Sequence, residues 1–416
     1  MWVLAVGVRL ARTNPSRLWF GLEKRPREWL TSSFTLLARG GTSIPVSPVR
    51  DGYSGCATWN AVAVIPTEPI GSIPRPTHLA HAVDEFERGL IDRSQLANVH
   101  NEAIAATIAM LASTGSPVLT DGEQSKPSFV GYPLAGLENL DPEGAQIPFA
   151  DGHTRQLPVL THGPFRYATN AVTYMRAARE YTARPLKQAV IAPSALSLIY
   201  PPAGIPDYPR QAFLADLRNE AENDIRLCLD RGASVVQLDF TEARLSLKLD
   251  PSGGLLRDMI ELNNSVLLRF SPEERARIGV HTCPGADQGA THSADVDYTE
   301  LLPLLFTMQA GNFYIQLASE PDRAKVLNVI REHSRDEQRI FVGVTDPNSE
   351  EIETAEEVRD RVLEAAEYIP VERLGTCDDC GFSPFADDRS MAREVAFAKI
   401  KARVDGTRMA EQLLGV

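Results

Sequence analysis

From about residue 60 onwards, short runs of apolar and β-branched residues alternate with longer segments of helical periodicity. Polar residues end each run, and apolar positions three and four residues apart follow it. The runs predict eight strands, at residues 61–65, 117–120, 189–192, 234–239, 277–283, 312–318, 339–345 and 372–376. The other segments predict helices at residues 79–90, 94–112, 211–231, 258–270, 298–309, 321–333, 354–369 and 390–414. Gly232 is predicted to follow the end of the third helix, and Pro321 to begin the sixth.

Near-continuous apolar strands that alternate with helices are typical of parallel strands covered by helices. Eight such units predict an α/β fold, a single (β/α)8 TIM barrel over residues 61–416. An open doubly wound sheet would favour a glycine-rich phosphate turn after the first strand, and no G-x-G-x-x-G stands there. Residues 124–187 are rich in Pro and Gly and are predicted to form an elaborated loop or hairpin over one mouth of the barrel.

Residues 1–60 differ from the rest and predict an irregular, basic N-terminal extension. The first 50 residues hold eight Lys or Arg against two Glu, although the whole chain has a net charge of −13. An Arg-rich, acid-poor start resembles an organellar transit peptide, but a disordered extension or a misassigned start codon gives the same pattern. We therefore predict a cytoplasmic protein, with a mitochondrial location as the alternative.

Charge, hydropathy and cysteine content argue against several classes of protein. A net charge of −13 argues against a generic nucleic-acid or anionic-membrane binder, because such proteins carry a basic footprint. The sequence contains no run of about 18 uncharged apolar residues, so no membrane span is predicted. Five cysteines spread over a long chain favour reduced thiols with metal-binding or catalytic work over a secreted disulfide framework. A small-molecule substrate is the prediction.

Polar residues collect at the carboxyl ends of the predicted strands, where barrel enzymes place their reactive groups. They follow five strands, as Asp121-Gly122-Glu123, Asp239, His281-Thr282-Cys283, Thr345-Asp346 and Cys377-Asp378-Asp379-Cys380-Gly381. Side chains two apart on a strand face the same way, and an imidazole beside a thiolate suits Zn²⁺. His281 and Cys283 are therefore predicted metal ligands, with Cys380 as the third; buried core residues are the alternative.

A zinc ion bound at this predicted site would activate a substrate thiol. A thiol with a pKa near 8.5 is mostly protonated at neutral pH, and coordination deprotonates it while leaving a nucleophilic sulfur. Glu123 and Asp239 are predicted to clamp an ammonium group on the thiol substrate, although each also fits a helix cap or loop carboxylate. Three roles are consistent with Cys377, namely a metal ligand, a redox partner or a residue that takes no part in the chemistry. We favour the last.

Five motifs, in this order, resemble the catalytic barrel of cobalamin-independent methionine synthase, especially its short single-barrel relatives. They are Ile70-Gly71-Ser72-Ile73-Pro74-Arg75-Pro76, Asp121-Gly122-Glu123, Val236-Gln237-Leu238-Asp239, His281-Thr282-Cys283 and Asp379-Cys380-Gly381. The resemblance runs from about residue 66 to the C-terminus. It implies transfer of a methyl group from a folate polyglutamate to homocysteine at a catalytic zinc, with Ser72, Glu123 and Asp239 holding homocysteine and the two carboxylates in the catalytic site.

The sequence departs from the family at three places. Where the family has a zinc-binding glutamate, the chain has Gln316, and Glu320 follows four residues later. The fourth zinc ligand is therefore Gln316, Glu320 or no protein residue at all. The acid histidine expected after the seventh strand falls near Asn348. The third departure is that the N-terminal barrel of the full-length synthase, which helps to hold the folate tail, is not matched by residues 1–60. In addition, residues 285–297, which include His292, align with no segment of the family, and either shape the donor pocket or form an ordinary polar loop.

Three other functions compete with methyl transfer. Ring-opening addition of a zinc-bound thiol to an epoxide, as in epoxyalkane:coenzyme M transferases, needs the thiolate but no folate. Decarboxylation, as in uroporphyrinogen decarboxylase, shares the barrel but needs no metal. A structural zinc would be closed by four protein ligands and would support no turnover.

Overall fold

The computed structural model describes residues 65–416, and eight parallel segments line its centre. We label them in chain order: β1 (Thr67), β2 (Leu119), β3 (Lys187–Ile191), β4 (Val235–Asp239), β5 (Ile278–Thr282), β6 (Asn312–Ile315), β7 (Arg339–Gly343) and β8 (Leu374–Cys377). The segments β3 to β8 form one continuous parallel sheet in chain order. Almost every residue of these six strands is buried.

The two shortest segments close this sheet into a ring. β1 pairs with β8 through Thr67 and Thr376, and β2 pairs with β3 through Leu119 and Leu186. Just beyond them, the Ile73 amide donates to the Gly122 carbonyl at 3.0 Å. The eight segments therefore form a closed barrel, as the strand and helix pattern predicts.

Of the predicted first strand, residues 61–65, the structure describes only Ile65, which lies just before the paired segment. Residues 61–64 lie outside the described residues, as does the predicted extension 1–60. Pairing occurs at Thr67 instead, where the Glu68 amide donates to the Thr376 carbonyl at 2.9 Å and the Pro66 carbonyl accepts from the Thr376 amide at 2.8 Å. Pro66 and Pro69 have no amide to donate, so the ladder cannot extend far on either side.

The eight predicted helices are present with shifted ends, at Thr77–Glu87, Arg93–Ser113, Arg210–Asp230, Gly254–Leu267, Tyr298–Leu305, Arg323–His333, Ala355–Ala366 and Arg393–Leu414. Gly232 adopts a left-handed φ of 83° just beyond the third. Pro321 does not begin the sixth helix, because the Asp322 side chain accepts from the Lys325 amide at 2.9 Å and caps it there. No helix within residues 65–416 is long and apolar enough to cross a membrane.

The sequence pattern missed several shorter elements. They are the helices Val172–Arg179, Pro193–Leu196, Glu242–Leu249 and Pro272–Arg275, and the 3₁₀ turns Ser197–Ile199 and Val371–Arg373. Each has at most eight residues, too few for a clear period.

Three small antiparallel pairs lie outside the barrel sheet. Residues 124–187 contain the pair Leu140–Asp141 with Val159–Leu160 and the pair Gln146–Pro148 with Thr154–Gln156. We call residues 146–156 the mouth hairpin. The segment 285–297 contains the third pair, Ala286–Asp287 with Ala290–Thr291, and we call it the insert.

Candidate metal centre and active site

His281, Cys283 and Cys380 come together at the carboxyl end of the barrel. His281 lies in β5, Cys283 follows it, and Cys380 follows β8. Their possible ligand atoms all lie within 4.8 Å of one another, and the two sulfurs are 2.9 Å apart. Two strands separate β5 from β8 in the sheet, so the loops after them must bring the two thiols together.

A carboxylate fixes the loop that carries Cys380. Asp379 accepts from the amides of Leu317, Ala318 and Ser319 at 2.8, 2.9 and 2.7 Å, and from the Ser319 hydroxyl at 2.7 Å. It therefore holds the end of β8 against the turn after β6. Gly343 makes room for this contact, since a Cβ there would lie 1.8 Å from Asp379 Oδ1.

The chemistry of the three side chains fits a metal. Both ring nitrogens of His281 are buried and have no hydrogen-bond partner among the described residues. The hydrogen bond between Cys380 and Cys283, followed by burial, raises the pKa of Cys380 well above its usual value. Buried nitrogens without partners are costly, and a cation between one imidazole and two thiolates would satisfy all three groups.

Gln316 and Glu320, the two predicted candidates for the fourth metal ligand, differ in their contacts. Glu320 forms a buried ion pair with Arg244 at 2.8 Å, and it is not part of the His281, Cys283 and Cys380 group. Gln316 donates through Nε2 to the Ser319 hydroxyl at 2.8 Å, while its Oε1 is buried with no partner in residues 65–416. Within the described residues, Gln316 thus keeps a buried acceptor without a partner, whereas Glu320 is already paired with Arg244.

The predicted substrate residues Ser72, Glu123 and Asp239 lie at the carboxyl ends of three strands, β1, β2 and β4. Asp239 ends β4 and is in register with His281 of β5. Gln237 Nε2 donates to Asp239 Oδ1 at 2.7 Å. Burial raises the pKa of Asp239 to about 6, although the nearby imidazole of His281 opposes the shift. Ser72 is buried beside Gly381, where an added Cβ would lie 2.2 Å from the Ser72 hydroxyl.

Glu123 has an internal partner that the sequence pattern did not predict. Lys126 Nζ lies 2.8 Å from Glu123 Oε1 and donates to the Ala189 carbonyl at 3.0 Å. Both side chains are buried, and Glu123 itself has a left-handed φ of 55°. One oxygen of Glu123 therefore faces an ammonium group that belongs to the protein. The only sequence signal was a lysine three residues after the glutamate, which is more often a solvated loop residue.

Arg75 was missed as well. Its guanidinium donates to the Glu123 carbonyl at 2.7 Å, the Lys126 carbonyl at 3.1 Å and the Phe385 carbonyl at 3.1 Å. It thereby ties the loop after β1 to the loops after β2 and β8. Arg75 lies within the quoted opening motif, but a motif does not show which loops its arginine reaches.

Cys377 and Asn348, two residues that the sequence pattern placed at strand ends, lie outside the metal group. Cys377 is buried in the barrel interior beside Tyr314 and Phe341, and its sulfur donates to the Phe341 carbonyl at 3.6 Å. Asn348 lies in the loop after β7, where its amide donates to Asp346 Oδ1 at 2.9 Å.

Comparison with known proteins identifies the family. Residues 65–407 match the family model described as the cobalamin-independent synthase, catalytic domain. The chain belongs to the cobalamin-independent methionine synthase family. This membership confirms the predicted family, and the predicted one-carbon transferase class agrees with it, because the relatives of this family are methyltransferases.

Individual members of this methionine synthase family match most of the described chain. A methionine synthase from Saccharolobus solfataricus is 23% identical over 84% of this chain and 96% of its own length. A 5-methyltetrahydropteroyltriglutamate–homocysteine methyltransferase from Streptomyces griseus is 26% identical over 76% of this chain and 39% of its own length.

Solved structures of the methionine synthase family share the fold. The B12-independent methionine synthase from Shewanella sp. W3-18-1, solved with selenomethionine, has a TM-score of 0.67 at 20% identity and covers 85% of this chain and 100% of its own. A putative B12-independent methionine synthase from Listeria monocytogenes has a TM-score of 0.62 at 20% identity, over 84% of this chain and 99% of its own. These likenesses confirm the barrel.

Proposed function

We propose that this chain is a zinc-dependent S-methyltransferase that moves a methyl group from a methylated folate polyglutamate to homocysteine, giving methionine. The observation that carries the proposal is the buried group of His281, Cys283 and Cys380, in which the two nitrogens of His281 have no hydrogen-bond partner within residues 65–416. Family membership and the printed names of the relatives support the same reaction. His281, Cys283 and Cys380 would hold the metal, and we assign the fourth contact to Gln316 Oε1.

Bound zinc lowers the pKa of a coordinated thiol, so that the substrate sulfur is nucleophilic at neutral pH. The protein's own residues would orient the rest of the amino acid. Asp239 lies opposite His281 on the next strand, and Gln237 fixes its carboxylate. Because Lys126 already neutralises one oxygen of Glu123, we assign the substrate ammonium first to Asp239 and second to the remaining oxygen of Glu123.

The identity of the methyl donor is inferred separately from that of the acceptor. The Streptomyces griseus relative is named for transfer from 5-methyltetrahydropteroyltriglutamate, and this name supports a folate donor here. Proximity and alignment of the donor methyl group with the substrate sulfur would supply much of the rate. Asn348 stands where the resemblance implies an acid histidine, so a different group must protonate the leaving amine.

Cys283→Ser provides the test of this function. The full chain is expressed, bound zinc is measured, and methyl transfer from methyl-tetrahydrofolate triglutamate to homocysteine is assayed. We expect the variant to lose metal and activity together, because its hydroxyl is a poor zinc ligand. Cys377→Ser is the matched control, since Cys377 is equally buried but lies outside the metal group, and it should keep its metal. A Cys283→Ser protein with normal zinc and activity would refute the proposed role.

Ring-opening of an epoxide by a zinc-bound thiol is the second candidate. The Lys126–Glu123 ion pair favours it, because a carboxylate that already has an ammonium partner is less available to an amino-acid substrate. Assaying the same zinc-loaded protein with epoxides and with methyl-folate separates the two. X-ray absorption with and without homocysteine then shows whether the amino thiol adds a sulfur to the zinc shell; an unchanged shell would contradict homocysteine as the acceptor.

A further inference from the structure

Three loops meet over the carboxyl end of the barrel. The insert begins two residues after Cys283, the loop 381–390 begins directly after Cys380, and the mouth hairpin comes from the segment between β2 and β3. Arg155, in the mouth hairpin, lies between the other two. Its neighbours are Asp287 of the insert and Asp387 of the loop 381–390.

The contacts of Arg155 reach both cysteine-bearing loops. Arg155 Nε and Nη2 donate to the two oxygens of Asp287 at 2.5 and 2.9 Å. Nη1 and Nη2 donate to the two oxygens of Asp387, both at 2.9 Å. The guanidinium also lies 4.2 Å from the ring centroid of Phe385. Paired hydrogen bonds of this type fix direction as well as distance.

Other groups of the mouth hairpin reinforce the link to the insert. His153 Nε2 lies 3.0 Å from Asp287 Oδ2, and the His153 ring stacks on Phe149 with centroids 4.4 Å apart. The Ala150 amide donates to the Thr291 carbonyl at 3.0 Å. Phe149 also meets the ring of His292 in the insert edge-to-face, with centroids 5.5 Å apart. The hairpin and the insert are therefore joined by backbone, charged and aromatic contacts.

The ion pair differs from an ordinary surface salt bridge. The side chain of Asp287 is completely buried, whereas that of Asp387 is 47% exposed. Exposed pairs contribute little, but a buried carboxylate that loses its partner is strongly unfavourable. The loop conformation that buries Asp287 therefore depends on Arg155.

We propose that Arg155 is a positioning residue for the metal centre, which holds the loops of Cys283 and Cys380 at the spacing that metal binding needs. The two cysteines follow strands that are not neighbours in the sheet, yet their sulfurs lie 2.9 Å apart. Arg155 joins the same two loops four residues beyond Cys283 and seven beyond Cys380. This role rests on the metal centre of the proposed function.

Zinc affinity of Arg155→Met tests the role. Affinity is measured on the purified full chain by competition with a chromophoric chelator, with thermal unfolding followed in parallel. We expect a loss of about tenfold to hundredfold, the range typical of residues that support metal ligands from outside. Arg155→Lys should recover only part of it, because one ammonium cannot form paired hydrogen bonds with two carboxylates.

Arg166→Met is the matched control, since Arg166 lies in the same long segment and pairs with Asp216 at 2.6 Å, and neither residue belongs to the metal group or to the two cysteine-bearing loops. Its zinc affinity should equal that of the wild type. If Arg155→Met does not fold, Asp387→Ala replaces it, because that change removes the contact to one loop only and affects an exposed group. Wild-type affinity in the folded variant would overturn the positioning role alone. Absence of zinc binding by the wild type would overturn the proposed metal centre and, with it, this role.

Discussion

At the scale of single residues, the barrel interior holds a charged group with few partners. Lys187 Nζ lies 3.4 Å from Glu68 and 3.3 Å from the centroid of the Tyr314 ring, and it forms no hydrogen bond among the described residues. Burial lowers the pKa of Lys187 to about 8, with Glu68 opposing the shift. The ammonium form is therefore less favourable in the folded barrel than in the unfolded chain.

The pH dependence of stability follows from this pKa. Between about pH 8 and the ordinary lysine value near 10.5, the unfolded chain binds a proton that the folded barrel has released. The contribution of Lys187 to the free energy of unfolding therefore rises with pH across this window, by up to about 3 kcal/mol. Lys187→Met should remove that rise. Urea unfolding at pH 7.5, 9 and 10 measures it, with the exposed Lys401→Met as control; parallel profiles for wild type and Lys187→Met would contradict the expectation.

Residue spacing predicted some groups of the site and not others. His281 and Cys283 stand two apart on a strand, and Cys380 follows another strand end, so the barrel pattern alone brings them to one rim. The partners of Glu123 were not predictable in this way. Lys126 is buried only because the loop after β2 turns back over the barrel through the left-handed residue Glu123, a tertiary feature with no period in the sequence.

At the scale of elements, side-chain acceptors decide where strands end. The pattern predicted that β6 would continue to residue 318, whereas it ends at Ile315. The amides of Leu317 and Ala318 donate to Asp379 instead of to a neighbouring strand. The apolar run marks the buried segment correctly, but a carboxylate from 60 residues away in the chain sets its boundary, and no local pattern shows that.

Asp379→Asn tests this coupling between two elements. The carboxamide retains one acceptor oxygen, so the contacts of the Ser319 amide and hydroxyl with Asp379 Oδ2 are lost. We expect a loss of stability on the order of 3 kcal/mol and weaker zinc binding, since Cys380 is the next residue. Asp224→Asn is the control, because Asp224 is a buried carboxylate that accepts from the Ala171 amide at 2.6 Å and from the Tyr132 hydroxyl, and none of these residues belongs to the metal group. Equal zinc affinity in the two variants would contradict a link between the β6 turn and the metal centre.

At the scale of the whole molecule, the barrel was more predictable from the sequence than the arrangement of the loops at its mouth. Eight alternating units determine a closed ring because each short apolar run needs a partner on both sides. The arrangement of the mouth hairpin, the insert and the loop 381–390 depends on contacts such as Arg155 with Asp287, between residues more than 100 positions apart. Pro- and Gly-rich composition indicated a loop over the mouth but not which strands' loops it would join.

Metal removal should affect the stability of the whole barrel. His281 lies in β5, Cys283 directly follows it and Cys380 follows β8, so a metal bound to all three links strand ends on different parts of the ring. A ligand that binds only the folded state stabilises it by about 4 kcal/mol when its free concentration is about 1,000 times Kd. We therefore expect a strong chelator to lower the Tm of the zinc-loaded chain by several degrees, and added zinc to restore it. Cys283→Ser should unfold at the same Tm with and without chelator, because it has no complete site to lose. A chelator-induced shift of equal size in that variant would mean that the stabilising metal binds elsewhere in the chain.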